Sequence, residues 1–336
     1  MRAIAAQHGS VAVADIEKPN LLPGHVGVRT EYSAISPGTE LGMVRGSSDD
    51  PRILGYSAVG IVEQVGEGVH GFREGQRVAC YGAPYTCHAQ WLSVPANLAA
   101  VVPEHVDARE AAYAGLGAIA IHALRTARLA FGESAIVAGL GILGNLIAQI
   151  AHAAAYRTIA LDVDAGRADM LRKYGLSRVY DSREKLEAEL WEATGGGVGA
   201  DAVLLCAGGA GSELIDASFG WLRDRGKIVV VGDLSTEFNR GKMFAKEAQV
   251  LISRAGGPGR YDERYERDNI DYPVGYVRWT EGRNTAEYIR LLAERRISVQ
   301  AMITHEYALD DCERAYGNYS SDAGAIGTLF RHGEPL

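Results

Sequence analysis

The stretch Gly139-Leu140-Gly141-Ile142-Leu143-Gly144 decides the fold of this chain, because the segments on both sides fit it as well as its own spacing does. An apolar run at 135–138 precedes it and predicts a buried parallel strand. Apolar residues at helical spacing follow from 145 to 155, and a second apolar run, 158–161, ends in Asp162. The order of strand, glycine turn, helix, strand and acid predicts a dinucleotide-binding βαβ unit.

Each glycine of the turn has its own expected role. Gly139 permits the tight turn, and Gly141 lets backbone N–H groups approach a pyrophosphate. Gly144 allows the helix to pack closely on the strand, and the helix N-terminus favours the negative charge. The alternative is a glycine turn without a ligand. The expected cofactor-binding residues are Gly139, Gly141, Ile142, Leu143, Gly144, Asp162, Arg167, Cys206, Ala207, Gly232 and Ser253.

Asp162 indicates which dinucleotide to expect. A carboxylate at the end of the second strand accepts hydrogen bonds from ribose hydroxyls and repels a 2′-phosphate, so NAD is favoured over NADP. Arg167 lies nearby and could accommodate a phosphate or contact the adenine, or it is a solvated residue of the first helical turn. Cys206 ends an apolar strand and is either a small core residue or a backbone neighbour of the cofactor.

Composition limits the class of protein. The chain of 336 residues is long enough for two domains, and 47% apolar residues support full cores. A net charge of −8 without a basic cluster argues against a nucleic-acid partner. No apolar run approaches the roughly 20 residues that span a bilayer, and the N-terminus lacks a signal core. We therefore expect a cytoplasmic protein. The four cysteines are scattered and form no CxxC pair, and disulfides are not expected in that compartment.

The pattern of elements divides the chain into two domains. The first part is β-rich, with alternating strands at 26–30 and 59–65, until helical spacing begins at 111 and runs to 130. Strand–helix alternation follows, with helices such as 165–174 and 212–223. The strands of this alternating region are predicted at 134–138, 158–162, 178–180, 201–206, 227–232 and 248–253.

The end of the chain begins with an aromatic and arginine-rich stretch, 260–284, and continues with a helix at 285–296, a strand near 299–304 and a helix near 309–318. The stretch 260–284 suits a polar ring-shaped or anionic substrate, or it forms a subunit contact. We place one domain at 1–124 and 257–336 and a dinucleotide-binding domain at 125–256.

Three further segments carry a resemblance to a known family. They are 55–60 (GYSAVG), 65–78 with its VGEGV and FREGQRV motifs, and 303–309 (ITHEYAL). With the glycine turn, they resemble the medium-chain dehydrogenase/reductase superfamily over nearly the whole chain. The resemblance implies an α/β protein with a GroES-like β-rich catalytic domain and a Rossmann domain, a doubly wound parallel sheet.

The chain departs from that family at the positions of the zinc ligands. In the zinc enzymes a cysteine stands where this chain has Ser36 or Pro37, and a histidine and a glutamate stand at Tyr56 and Ser57. The third ligand position corresponds to Gly115, and the four-cysteine structural zinc lobe is absent. Hydroxyl groups and glycine are poor zinc donors, so the resemblance implies a zinc-independent branch with no metal.

Cys80, Cys87 and His88 offer an alternative route to a metal. Their spacing fits no common zinc pattern and no fourth ligand is evident. The other interpretation is a pair of core cysteines beside a hydrogen-bonded histidine.

Without zinc, another group must handle the hydroxyl proton during hydride transfer. Tyr56 replaces the histidine ligand, and a phenol with a lowered pKa can act as acid or base, although Tyr56 could equally fill vacated space. Thr39 matches the hydroxyl that relays protons in the zinc relatives, and Ser36 could donate a further hydrogen bond. His88 is a candidate base or a satisfied structural histidine.

The combined prediction is an NAD-dependent, zinc-independent oxidoreductase that interconverts a secondary alcohol and a ketone, on a small-molecule substrate such as a sugar or cyclitol. Segments 33–40 and 257–280 resemble dehydrogenases of sugar and polysaccharide pathways. Two alternatives stay open: a zinc-free reductase of activated C=C bonds, and a redox-silent dinucleotide-binding protein. The apolar strand 248–252 is expected at the edge of the sheet, where family members pair, so we expect a homodimer.

Overall fold

The computed structural model describes residues 1–209, 211–322 and 324–333. The chain forms two compact units. The discontinuous unit is built from Met1–Ala118 and from the chain that starts at Gly256, and the central unit is Ile119–Ala255.

Short strands dominate the first part of the discontinuous unit, as its alternating apolar pattern predicts. In chain order the elements up to the central unit are β1 (Arg2–Gln7), β2 (Ser10–Asp15), β3 (His25–Ala34), α1 (Pro37–Arg45), β4 (Arg52–Ile53), β5 (Ser57–Val65), β6 (Arg77–Tyr81), β7 (Trp91–Pro95), β8 (Ala99–Val101), α2 (Ala108–Ala111) and α3 (Ala114–Ala127), the last of which continues into the central unit.

The central unit alternates strands and helices around one parallel sheet. Its elements are β9 (Ser134–Ala138), α4 (Ile142–Ala153), β10 (Arg157–Leu161), α5 (Ala165–Arg172), β11 (Val179–Tyr180), α6 (Arg183–Ala193), β12 (Ala200–Leu205), α7 (Ser212–Trp221), β13 (Leu222–Val230), α8 (Arg240–Lys246) and β14 (Gln249–Ile252). The strand order is β11-β10-β9-β12-β13-β14, the doubly wound order in which ligands bind beyond the carboxyl ends of the strands, where the order reverses.

Burial explains why the strands of this sheet are continuously apolar. All five residues of β9 are buried, and Ile136 lies in register with Ile159 on one side and Val203 on the other. A parallel sheet covered on both faces needs apolar side chains on both faces. Phe219 and Trp221 from α7 pack into the same core.

The end of the chain returns to the sheet of the discontinuous unit. Its elements are α9 (Glu263–Glu266), α10 (Glu281–Ala293), β15 (Ile303–Ala308), α11 (Cys312–Ser321) and β16 (Gly327–Arg331). The larger sheet has the order β15-β16-β3-β5-β6-β8, with β7 also paired to β3. A second sheet has the order β2-β1-β4. The predicted combination of a β-rich domain and a doubly wound parallel domain is confirmed.

Some predicted boundaries are wrong. The strand expected near 299–304 is β15, which begins at Ile303, and residues 300–302 form a short 3₁₀ helix instead. The reason is a long-range contact: Glu110 Oε1 accepts hydrogen bonds from the backbone N–H groups of Val299 at 2.6 Å and Gln300 at 3.0 Å. Those two donors are therefore not available to a neighbouring strand.

The N-terminal helix α1 was not predicted, although its start signals are present. Pro37 occupies its first position, where the missing N–H costs nothing, and Ser36 is the N-cap. Elsewhere, the helix predicted at 212–223 ends at Trp221, because β13 begins with the next residue.

No described helix is both long and apolar enough to cross a membrane.

The contact between α3 and α10 gives a stability prediction. A Cβ added at Gly117 would lie 2.2 Å from Cδ2 of the fully buried Tyr288 ring. We expect Gly117→Ala to lower the free energy of unfolding by about 1–3 kcal/mol, the usual cost of overpacking a core. Gly317→Ala in α11 is the matched control, since nothing lies within 4 Å of its added methyl. The control should gain up to about 1 kcal/mol from helix propensity, and equal effects in denaturant titrations would contradict the prediction.

Candidate active site

The glycine turn of the central unit is closed by direct backbone contacts. Gly139 follows β9 with a φ of +93°, and a Cβ there would lie 2.7 Å from the backbone nitrogen of Ala207, which follows β12. A Cβ at Gly144 would lie 1.7 Å from the carbonyl oxygen of Gly139. The turn and the first helical residues, Ile142 and half-buried Leu143, are therefore held at the carboxyl ends of β9 and β12.

The second part of this cradle is formed by the residues after β12 and β13. A Cβ at Gly232 would lie 2.1 Å from the carbonyl oxygen of Ala207, so this approach also requires a glycine. Cys206 packs against Gly144, its Cβ lying 3.2 Å from the Cβ that would be added there. Burial raises the pKa of the Cys206 thiol to about 12, so the thiol is neutral and acts as a packing neighbour of the turn.

An open space lies beside the closed turn. Gly141 is the N-cap of α4 and has no side-chain cap, and nothing lies within 4 Å of a Cβ added to it. The first N–H groups of a helix point along its axis and favour a bound anion. The glycine turn is therefore held by close backbone contacts, and the N-terminus of α4 beside it is unobstructed.

Asp162 is fixed at the same edge of the sheet. Its Oδ2 accepts a hydrogen bond from the Leu140 backbone N–H at 2.5 Å, and its Oδ1 accepts one from Asp164 at 2.9 Å. Arg167 Nη1 lies 4.0 Å from the same carboxylate, and its Nε finds no partner among the described residues. Ser253, at the end of β14, has a buried hydroxyl that is also unpartnered within the described chain.

In the discontinuous unit, Tyr56 and Ser36 are directly bonded. The Tyr56 hydroxyl donates to Ser36 Oγ at 2.5 Å. Burial raises the pKa of Tyr56 to about 12, although its contacts with Ser36 and with Thr39, exposed on the first turn of α1, act in the opposite direction. Use of Tyr56 as a base would need a lowered pKa, so in this state the phenol is a proton donor.

The position of Ser36 is set by a fully buried carboxylate, Glu40. Its Oε1 accepts a hydrogen bond from the Ser36 backbone N–H at 2.7 Å. Its Oε2 lies 2.8 Å from His88 Nε2 and accepts a hydrogen bond from the Tyr316 hydroxyl at 2.5 Å. Burial, followed by the charge of Glu40, raises the pKa of Tyr316 well above its usual range, so this phenol stays a donor.

His88 has both ring nitrogens engaged. Besides its bond to Glu40, its Nδ1 lies 2.7 Å from Ser33 Oγ, which in turn lies 2.7 Å from His332 Nε2. Burial, and then the proximity of His88, lowers the pKa of His332 to about 3, so this ring is neutral. His88 is fully buried and offers no free nitrogen to a substrate. These contacts fit the interpretation of His88 as a structural histidine with both ring nitrogens hydrogen-bonded, and they do not fit a catalytic base.

The remaining positions that correspond to the family's zinc ligands, Ser57 and Gly115, are occupied by contacts within the protein. Ser57 Oγ donates to the carbonyl oxygen of Ala112 at 2.6 Å and accepts from the Gly115 N–H at 2.8 Å. A Cβ at Gly115 would lie 2.7 Å from Cδ2 of Tyr81. Tyr81 also meets Tyr56 edge-on, with ring centroids 5.9 Å apart, and thus fills the space beside Gly115.

The described part of the chain holds no group of three or more His, Cys, Asp or Glu side chains arranged to bind a metal. Cys80 and Cys87 are free, and burial raises the pKa of each thiol to about 12. Cys80 lies in a hydrophobic core cluster and Cys87 packs against that cluster, which fits the interpretation as core cysteines.

Four of the five arginines of the 260–284 stretch contact side chains of their own segment. Arg260, Arg267 and Arg283 each pair with a carboxylate between residues 263 and 271. Arg278 stacks on the ring of Trp279 with 3.9 Å to its centroid. These contacts order the segment and leave it less charge for an anionic ligand than its composition indicates.

Sequence reasoning missed two residues of this site. Glu40 stands inside the quoted 33–40 motif, but its partners come from residues 88 and 316. Tyr81 ends a buried strand and carries no local signal at all. Its importance follows only from the absence of a side chain at Gly115.

Comparison with known proteins identifies the family. Residues 22–128 match the family model of the alcohol dehydrogenase GroES-like domain, and residues 143–268 match that of the zinc-binding dehydrogenase domain. The chain is 26% identical to a sorbitol dehydrogenase of Halalkalibacterium halodurans, over 93% of this chain and 94% of that protein.

Two solved structures share the fold. One, described as a short chain alcohol dehydrogenase from Escherichia coli CFT073 and solved with NADH, has a TM-score of 0.78, 19% identity and coverage of 98% of this chain and 99% of that chain. A dehydrogenase from Sinorhizobium meliloti 1021 bound to NADP has a TM-score of 0.76, 20% identity and 98% coverage of both chains. With two domain matches that together span more than half of its length, the chain belongs to the medium-chain dehydrogenase/reductase superfamily.

Proposed function

We propose that this protein is an NAD-dependent dehydrogenase that interconverts a secondary alcohol and a ketone without zinc, on a sugar, cyclitol or related polar ring. The observation that carries the proposal is the Tyr56–Ser36 hydrogen bond, because it puts a proton donor where the zinc relatives have metal ligands. The pathway resemblance of segments 33–40 and 257–280 and the similarity to a sorbitol dehydrogenase support the substrate class.

A nicotinamide dinucleotide fits the residues of the central unit. The N-terminus of α4 is open at Gly141, which suits a pyrophosphate, and the buried Ser253 hydroxyl is available as a hydrogen-bond partner. When bound, this cofactor donates or accepts the hydride. Asp162, held by Leu140 N–H, presents a carboxylate to the ribose hydroxyls and repels a 2′-phosphate, which favours NAD.

Zinc does not fit the residues at the positions that correspond to the family's zinc ligands. Zinc prefers thiolate, imidazole or carboxylate ligands. The corresponding positions carry hydroxyls at Ser36, Tyr56 and Ser57 and no side chain at Gly115. The Ser57 hydroxyl is already committed to two backbone groups, so the set supplies no tetrahedral donor cluster.

Tyr56 can handle the proton in place of a metal. In ketone reduction the carbonyl carbon gains a hydride, and the carbonyl oxygen takes the phenolic proton of Tyr56, which leaves an alcohol and a phenolate. The Ser36 and Thr39 hydroxyls stabilise that phenolate, since both favour the ionised form. Solvent then returns the proton. Alcohol oxidation reverses these steps and starts from the phenolate, so the raised pKa of Tyr56 favours the direction of ketone reduction.

We also propose a homodimer in the cytoplasm. The support is that β14 is the last strand of its sheet and that Ile252 is largely exposed there. The free cysteines are compatible with a reducing compartment. Equilibrium sedimentation would decide the oligomeric state.

Substitutions in the glycine turn should separate binding from folding. Gly141→Ala adds a methyl to open space, so stability should stay within about 0.5 kcal/mol while the Kd for NADH rises about tenfold or more. Gly144→Ala forces apart two backbone segments and should cost about 1–3 kcal/mol of stability. Thermal unfolding and NADH fluorescence titration measure both. Unchanged NADH affinity in a folded Gly141→Ala protein would contradict the assigned pyrophosphate position.

The carboxylate of Asp162 should set the cofactor preference. We expect wild-type kcat/KM to be higher with NAD than with NADP. Asp162→Asn keeps a side-chain acceptor for the Leu140 N–H and removes the charge. The preference should then fall about ten- to hundredfold, since two like charges about 4 Å apart near a surface repel by about 1–4 kcal/mol. An NADP preference in the wild type would overturn the assignment.

The phenolic proton of Tyr56 should be required for turnover. Tyr56→Phe should lower kcat by about 10²- to 10⁴-fold and leave NADH binding unchanged, because the phenol acts on the substrate. Ketone reduction should show no alkaline loss due to Tyr56 below its pKa of about 12. The matched control is Tyr156→Phe. Tyr156 is half-buried and belongs neither to the expected catalytic residues nor to the expected cofactor-binding residues.

The assay follows absorbance at 340 nm with polyols, cyclitols and their ketones, with and without a strong chelator. Chelator-sensitive turnover would refute the zinc-independent mechanism. Turnover of activated alkenes alone would favour the C=C reductase, and NADH binding without any turnover would favour a redox-silent protein.

A further inference from the structure

A buried acid that the proposed mechanism does not use lies at the start of α10. Glu281 is fully buried. Neither of its carboxyl oxygens accepts a hydrogen bond from a described N–H or hydroxyl donor, and the polar group available to it as a side-chain partner is the carboxyl group of Glu266. The helix start itself is capped by the Thr280 side chain, which accepts from the Arg283 N–H, so Glu281 is not needed as a cap.

The nearest ionisable neighbours do not compensate a charge on Glu281. Arg260 pairs with Glu266, and its Nη2 donates to the carbonyl oxygen of Ala83 at 2.8 Å. Glu266 also accepts from the Tyr261 N–H at 3.0 Å. Two buried carboxyl groups therefore lie near a single arginine, Arg260, and this arginine is paired with Glu266.

A proton on Glu281 resolves this imbalance. Burial first, and then the charge of Glu266, raises the pKa of Glu281 to about 9, against the weaker opposing effect of Arg260. Glu266 is a hydrogen-bond acceptor and can pair with Glu281 only when Glu281 carries the proton. At neutral pH the cluster of Glu281, Glu266 and Arg260 is then electrically balanced.

This cluster touches the wall of the Tyr56 site through Gly256. A Cβ at Gly256 would lie 2.5 Å from Cε1 of Tyr81 and 3.0 Å from Cβ of Glu281. Tyr81 in turn meets the ring of Tyr56. When Glu281 is ionised, its charge is, after burial, the second cause that raises the pKa of Tyr81. Glu281, Gly256, Tyr81 and Tyr56 thus form one packed row.

We propose that Glu281 is a positioning residue of the Tyr56 site, which works only while it is protonated and paired with Glu266 and so keeps Tyr81 packed against Tyr56. Ionisation of Glu281 would place a second negative charge beside Glu266 in a buried space with one cation. The activity part of this inference rests on the proposed function, whereas the protonation part does not.

Stability against pH tests the protonation. A glutamate whose folded pKa lies near 9, above the ordinary value of 4.5, keeps its stabilising effect below pH 4.5 and loses it as the pH rises to about 9. Relative to Glu281→Gln, the folded-to-unfolded ratio of the wild type should fall by up to about tenfold per pH unit between pH 5 and 8. Glu287→Gln, at a half-buried glutamate in α10, should not change that slope.

Two results would overturn the protonation. Parallel stability curves for wild type and Glu281→Gln would show that Glu281 has an ordinary pKa. A Gln variant that becomes progressively less stable than wild type as the pH rises would show that Glu281 is ionised and salt-bridged. Neither readout needs a substrate, so it holds even if the proposed activity fails.

Activity against pH tests the positioning. Glu281→Ala should lower kcat about tenfold at pH 7, and Glu281→Gln, which keeps a neutral hydrogen-bonding group of the same size, should restore most of it. Wild-type kcat should fall as the pH rises through about 9, and the Gln variant should lack that fall. The same alkaline limb in both proteins, or an Ala variant that folds with full activity, would overturn the role.

Discussion

One buried carboxyl group, that of Glu40, joins three segments of the discontinuous unit. It accepts hydrogen bonds from groups on three separate segments, at Ser36, His88 and Tyr316. A buried carboxylate that loses its partners costs several kcal/mol, so the three segments are constrained to meet around it. The place of Ser36, and with it the hydrogen-bond partner of Tyr56, is therefore set by the interior of the protein.

In the central unit, close steric contacts rather than a buried carboxyl group fix the positions of the residues. Its cofactor cradle depends on the absence of side chains at Gly139, Gly144 and Gly232, where backbone groups come too close for a Cβ. Asp162 adds a single polar tie, to the Leu140 N–H. One unit is ordered by a shared buried acceptor, and the other is ordered by steric closeness between the ends of neighbouring strands.

Local signals made the central unit predictable from sequence. Its strands are short buried runs and its turn has a fixed glycine spacing, so neighbouring residues are enough to specify them. The features that could not be predicted depend on distant partners. Residues 300–302 leave the expected strand because Glu110 binds the backbone there, and Glu40 is bonded to a tyrosine 276 residues away. The pKa of Tyr56 likewise follows from burial, which no short motif encodes.

The packing around Gly115 couples two positions that are distant in the sequence. A substitution that placed a ligand side chain at residue 115 would collide with the Tyr81 ring. A substitution that made residue 81 smaller would instead open a void beside Gly256 and Glu281. A ligand side chain at residue 115 and a smaller side chain at residue 81 are therefore sterically compatible only in combination.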